Sequence, residues 1–275
     1  MKEVIVGFSE AAKSRVDQYN SSKSRYFVST MLAGFFVGLG IILIFTIGGI
    51  LEPTGFAGTR IVMGISFGIA LSLVLMAGAD LFTGNNMIMT IGTLEKKTTW
   101  PETYRIWTYS FLGNFAGSIV VAVLYFYSGL ATGNTATFIT NIASDKMTAP
   151  FMELLIRGIL CNILVCLAIW CSMKLKSETA KLVMIFWCLF AFITSGFEHS
   201  IANMTLFSVA LLVPSPESVS LMGMGANLIP VTIGNMIGGI VFVGAAYWYS
   251  ISAPAEKTKE KFSISTNKNS LEKAQ

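Results

Sequence analysis

Ala79-Asp80-Leu81-Phe82-Thr83-Gly84-Asn85-Asn86 and Thr194-Ser195-Gly196-Phe197-Glu198-His199-Ser200 decide the fold. Each stretch lies inside a long apolar block, Arg60–Gly92 and Lys181–Val213, and sets small and polar residues where a membrane helix would carry apolar ones. The interruptions are read at Thr83–Asn86 in the first block and at Thr194–Ser200 in the second. Unwound backbone in hydrocarbon leaves N–H and C=O groups unpaired at several kcal/mol each, so such breaks survive only where protein or water lines them. Broken spans of this kind frame a permeation site, and the N-termini of their half-helices present partial positive charge to it, which favours an anion.

Working outward, four more apolar blocks follow the same length rule: Tyr26–Ile50, Tyr104–Gly129, Ala149–Met173 and Asn227–Ile251. Each can cross about 30 Å of hydrocarbon. The 275 residues are 53% hydrophobic and 12% charged, against about 25% charged in a soluble protein. A water-soluble domain is excluded, and the fold class is an all-α membrane protein with six transmembrane helices. Of the 19 Lys and Arg residues, sixteen fall in the N-terminal segment, the tail and the loops on that same side, while only Arg60 and Lys146 fall in loops on the other. This asymmetry predicts that both termini are cytoplasmic. The net charge of +4 is a topology signal and gives no reason to expect a nucleic-acid partner.

The chain also repeats itself. Gly113-Asn114-Phe-Ala-Gly117-Ser-Ile119-Val120 recurs as Gly234-Asn235-Met-Ile-Gly238-Gly-Ile240-Val241, and both copies run on to an aromatic end, Tyr125-Phe126-Tyr127 and Tyr247-Trp248-Tyr249. The interrupted blocks hold the second place in each half. With three spans per half, the halves must sit in the membrane as inverted repeats, helices 2 and 5 being the broken ones. Three regions are expected: an interfacial N-terminal helix over 1–25 with apolar Phe8, Ala11, Ala12, Val16 and Tyr19, a transmembrane channel domain over 26–251, and a polar, disordered cytoplasmic tail over 252–275. The charged lead lacks a small-residue cleavage site, so it is expected to be retained. Cys161, Cys166, Cys171 and Cys188 show no CxxC pairing and no histidine at ligand spacing, and they read as reduced, buried hydrophobes with no metal.

Three ionisable groups fall in the interrupted regions, at about 2.5–3.5 kcal/mol each on insertion scales. Asp80 and Glu198 either brace the broken segments by accepting backbone N–H bonds or meet the permeant. His199, the only histidine, is placed beside a carboxylate between half-helices, where it could protonate a passing anion. Arg157, one turn from Glu153, reads as an internal ion pair or a subunit contact rather than a pore element. Lys146 stands alone on an outer loop, either solvated or in an outer vestibule. Asn114, Asn162 and Asn235 must find partners inside their spans, by interhelical hydrogen bonds or by lining the pore. Phe67, Leu71, Leu81, Phe82 and Phe192 flank the breaks and suit a hydrophobic constriction. Gly34-x3-Gly38 and Gly234-x3-Gly238 would let helices approach closely.

With these residues in place, Ala79–Asn85 and Ser195-Gly196-Phe197-Glu198-His199-Ser200-Ile201-Ala202-Asn203-Met204 closely resemble the two signatures of the formate/nitrite transporter family of pentameric anion channels. The resemblance covers about residues 25–250 and implies an aquaporin-like fold in a homopentamer, with a pore in each protomer and a central axis the substrate does not use. It implies Leu71 with Phe192 at the cytoplasmic constriction, Phe67 with Phe82 at the periplasmic one, and Thr83 at the mobile break. It further implies His199 with Glu198 as the central titrating pair, Lys146 as the lysine that draws anions into the outer vestibule, and Asn162 and Asn235 as amides near the histidine. Gly38–Thr46, Cys161–Trp170 and His199–Phe207 look most like the nitrite channel branch, although Asp80 stands where that branch is expected to carry glutamate.

The expected function is passage of a small weak-acid anion across the cell's inner membrane, nitrite first and hydrosulfide or formate as alternatives, with a proton relay through His199. No cofactor is implied. A water or glycerol pore would carry paired Asn-Pro-Ala turns, absent here. A remote alternative is an intramembrane hydrolase using Ser200 or Ser195 with His199 and Glu198, but contiguous residues on a helix point in different directions.

Overall fold

The computed structural model describes residues 1–252. All regular elements among them are helical. An N-terminal helix α1 (Lys2–Ser21) precedes the first span, α2 (Lys23–Leu51). The second span is α3 (Thr59–Ser66) and α4 (Gly68–Met76), followed after a break by α5 (Phe82–Leu94), and the third is α6 (Trp100–Tyr127). The second half repeats the plan with α7 (Gly133–Thr148), α8 (Phe151–Lys174), α9 (Glu178–Ser195), a break, α10 (Ser200–Leu212) and α11 (Leu221–Ile237). A π-helical segment, Gly238–Ala245, joins α11 to α12 (Ala246–Ser252). Six of these stretches are long and apolar enough to cross a membrane, in agreement with the six expected blocks.

Local chemistry sets the boundaries. Thr99 and Glu102 form a reciprocal capping box at the start of α6 with proline in its first turn, and Ser177 and Ser220 cap α9 and α11. One helix was not anticipated: α7 falls where the sequence reads as a loop. Its threonines and serines dilute the pattern, yet Ile139, Ala143 and Met147 recur every four residues and are buried.

The glycine stripes act within the chain. A side chain at Gly34 would collide with the Asn114 carbonyl, and one at Gly117 with the Met31 carbonyl, so α2 and α6 touch backbone to backbone. The other half does the same, Gly234 against the Leu155 carbonyl and Gly238 against the Ile159 carbonyl, joining α8 to α11. α1 lays Ile5, Phe8, Ala12 and Val16 on the bundle, with Phe8 stacked at 5.3 Å on Trp170 and Trp170 at 4.0 Å on Tyr247. The tail expected over 252–275 lies outside the described residues beyond Ser252.

Candidate functional site

The breaks are built from matching parts. In the first, residues 77–81 leave the helix through Gly78, at φ +76; in the second, the chain turns through Gly196, at φ +77. Both angles lie in the left-handed region that glycine enters without penalty. This corrects one expectation: Thr83-Gly84-Asn85-Asn86 do not interrupt the span but form the buried first turn of α5. The polar residues there mark a half-helix starting inside protein, and the unwound segment lies just before them.

Asn114 and Asn235 bind the two breaks in the same way. Asn114 donates from Nδ2 to the carbonyls of Thr30 (2.7 Å) and Asp80 (3.0 Å) and accepts from the Phe82 N–H at 2.8 Å. Asn235 donates to the carbonyls of Gly158 (2.8 Å) and Glu198 (2.9 Å) and accepts from the Ser200 N–H at 2.9 Å. The carboxylates follow suit. Asp80 meets Arg15 of α1 at 3.0 Å, and Glu198 meets Lys146 of α7 at 2.7 Å. Arg15 also donates to Asn85 Oδ1 at 2.7 Å, as Lys146 does to Asn203 Oδ1 at 3.3 Å. Thus α1 and α7 are counterparts, each supplying one cation to one break.

Symmetry ends at the residue before each half-helix. Leu81 and His199 both precede a half-helix in extended conformation, but only His199 caps, its Nδ1 accepting from the Ala202 N–H at 3.1 Å. That bond assigns the proton of the neutral ring to Nε2, which lies 3.0 Å from Thr83 Oγ1. The N-termini of α5 and α10 therefore meet head to head at this pair, and both macrodipoles direct their positive ends at it.

Beside His199 lies a small apolar chamber of about 10 Å³ lined by Phe67, Leu71, Leu81, Phe192 and His199, among others. Such a volume holds about one water and no hydrated ion. Phe192 and His199 also border a wide vestibule of about 940 Å³, which Glu52 at the end of α2 and Thr59 at the start of α3 help to line. The expected pairing of constriction residues is corrected here. Phe67 packs edge-to-face on Phe192 at 5.5 Å, forming the vestibule-side wall with it, and Leu71 lies one turn further along α4 with Leu81. Phe82 does not line the chamber: as the first residue of α5 it turns toward α6 and packs on Phe111 at 5.2 Å.

The amides and the lysine are also more engaged than expected. Asn162 donates to the carbonyls of Thr83 (3.1 Å) and Asn235 (2.6 Å), so it and Asn235 brace backbone. Lys146 lines the vestibule, but its charge is paired with a Glu198 carboxylate that is only 3% exposed. Arg157 pairs with Glu153 at 2.6 Å, as its spacing implied. Sequence reading missed Arg15, Asn85 and Asn203. Aligning the halves on Asp80 and Glu198 reveals the two asparagines, each five residues later.

The sequence profile described as Formate/nitrite transporter matches residues 2–249. The chain is 45% identical over 238 residues to the "Nitrite transporter NirC" of Escherichia coli (strain K12), covering 86% of this chain and 87% of that protein. It is 32% identical over 242 residues to the "Formate channel FocA" of Escherichia coli (strain K12), covering 81% and 85%. Among solved structures, one titled "FNT family ion channel" superposes with a TM-score of 0.87 at 41% identity, covering 91% of this chain and 99% of that one. A "Pentameric formate channel with formate bound" superposes with a TM-score of 0.74 at 28% identity, covering 84% and 98%.

Proposed function

Because the chain belongs to the formate/nitrite transporter family, we propose that it is a channel for small monovalent anions of weak acids, with nitrite the first substrate. It works as a homopentamer, each protomer with its own pore, in the inner membrane with both termini cytoplasmic. Formate is the second reading, supported by the similarity to a formate channel, and hydrosulfide the third. The observation that carries the proposal is the head-to-head meeting of α5 and α10 at Thr83 and His199, beside a chamber of about 10 Å³ below a vestibule of about 940 Å³.

The physics follows from that geometry. An anion reaching the chamber must shed its water among apolar side chains, which is expensive for a charge and far cheaper for the neutral acid. His199 borders the chamber and offers the anion a hydrogen bond, Thr83 stands 3.0 Å from the ring's Nε2, and the two helix N-termini hold residual negative charge. The committed cap narrows the relay that the sequence suggests. Donating a hydrogen bond from Nε2 leaves the cap intact. Giving that proton up completely would require Nδ1 to take up another proton from water, since the ring would otherwise be left as an imidazolate, and a proton on Nδ1 stands against the Ala202 N–H at a cost of about 1 kcal/mol for the lost cap. His199 therefore acts as a donor to the anion, with the acid's proton taken up from vestibule water. No cofactor takes part in this reading.

The hydrolase alternative finds no support in the same residues. Glu198 bonds Lys146 and Asn203, His199 bonds Thr83, and Ser200 Oγ has no partner among the described residues. The deciding experiment is uptake of nitrite, formate and hydrosulfide into proteoliposomes at two pH values, with chloride as control. Flux of a weak-acid anion that rises as pH falls supports the reading; equal chloride flux refutes it.

A further inference from the structure

The vestibule poses an electrostatic question. Its lining carries Glu52, Arg60, Asp145, Lys146, Arg157 and Glu198. Lys146 is matched by Glu198 at 2.7 Å and Arg157 by Glu153 at 2.6 Å, while Glu52 and Asp145 add negative charge. The cavity as a whole therefore gives anions no general pull, and entry depends on a local donor.

Arg60 is that donor by elimination and by position. Among the described residues its side chain makes neither an ion pair nor a hydrogen bond. It is exposed, at the second residue of α3, and its guanidinium lies over the second break: Nη1 sits 3.3 Å from where a side chain on Gly196 would begin. Gly196 is three residues before His199, so the cation stands at the step from vestibule to chamber. We propose that Arg60 is the entry donor of the pore and that it sets a preference for planar anions with two oxygens, an inference that rests on the channel reading above. The reason is geometric. A guanidinium presents parallel N–H groups that a nitrite or carboxylate engages with both oxygens, whereas hydrosulfide or a halide offers one acceptor atom and gains only from the charge. A lysine in the same place would be a point charge without the fork.

The test compares the unaltered protein with Arg60→Gln and Arg60→Lys in proteoliposomes, reading half-saturation and maximal flux separately for nitrite and hydrosulfide. Because Arg60 holds no structural bond, both variants are expected to melt and elute as the unaltered protein does. For nitrite, Arg60→Gln is expected to raise KM roughly tenfold with kcat held within about twofold, since one charge-assisted contact is lost at entry and none in the chamber. Arg60→Lys should leave the nitrite KM raised while restoring that of hydrosulfide. An unchanged nitrite KM in Arg60→Gln, or an Arg60→Lys protein that equals the unaltered one for nitrite, would overturn the inference while leaving the channel reading intact. Absence of nitrite and formate flux in the unaltered protein would overturn both.

Discussion

Asn114 and Asn235 make the same three hydrogen bonds in opposite halves of the molecule: one to the carbonyl of the break carboxylate, one to the first span of the half, and one from the opening N–H of the half-helix. Each is completely buried. One amide thus satisfies three backbone groups that water would otherwise have to reach.

Replacing either asparagine by alanine strands one N–H and deprives two carbonyls of a donor. Each buried unsatisfied group costs about 1–3 kcal/mol, so Asn114→Ala and Asn235→Ala are each expected to destabilise by at least about 2 kcal/mol. Thermal unfolding in detergent checks this. A melting temperature unchanged in both variants would refute the clamp. Asn235→Ala should also slow flux more than Asn114→Ala, because it alone borders the segment that carries His199.

The pair Lys146–Glu198 calls for a different design. Removing the lysine leaves a carboxylate 3% exposed with Asn203 as its remaining side-chain donor. Breaking one partner of a buried pair costs about 3–5 kcal/mol, whereas removing both can be nearly neutral. Lys146→Met is therefore expected to unfold earlier than Lys146→Met/Glu198→Gln, with the double variant recovering most of the loss. If the double variant is as unstable as the single one, the two charges do not act as a pair.

Much of this architecture was legible because membrane helices obey a length rule that composition alone reveals, and because Gly113-Asn114 and Gly234-Asn235 expose the repeat. The location of the first break was not. Polar residues at Thr83–Asn86 look like an interruption, but a half-helix that begins inside protein also needs small and polar residues in its first turn; the telling residue was Gly78, with its positive φ. The pairing of constriction residues was beyond sequence for a related reason. Leu81 and Phe82 are adjacent, and the turn from extended chain into helix sends one into the chamber and the other toward Phe111. Arg15 escaped notice because a basic N-terminal segment already has a sufficient explanation in topology.

The chamber walls predict a loss of selectivity when they are cut back. Phe67, Phe192, Leu71 and Leu81 are all buried at 5% exposure or less, and none offers a polar group to an ion. Leu71→Ala and Phe192→Ala each open room for water, which lowers the desolvation cost that excludes charge. Chloride flux, expected to be negligible in the unaltered protein, should become measurable in either variant, and nitrite flux should lose part of its dependence on pH. The check is paired chloride and nitrite uptake at pH 5.5 and 7.5. Chloride exclusion that survives both substitutions would place the barrier elsewhere.

His199 and Thr83 allow the roles of donor and relay to be separated. A relay requires a group that titrates, whereas a donor requires only an N–H aimed at the anion. Glutamine cannot titrate but keeps an amide N–H of similar reach. If His199 donates and the proton comes from the vestibule, His199→Gln is expected to retain nitrite flux within about tenfold and to keep its rise with falling pH. That rise follows the neutral fraction of the acid, which grows about tenfold for each unit by which the pH falls while it stays above the acid's own pKa. His199→Ala loses both the donor and the cap on Ala202, so its flux should fall further, with a lower melting temperature. Thr83→Val removes the ring's partner without touching the cap and should reduce flux, with a stability loss of about 1–3 kcal/mol from the Nε2 N–H left without a partner. A pH profile that turns flat in His199→Gln would instead make the imidazole the obligatory carrier of the proton. The bond from Ala202 to Nδ1 would then have to break in every transport cycle.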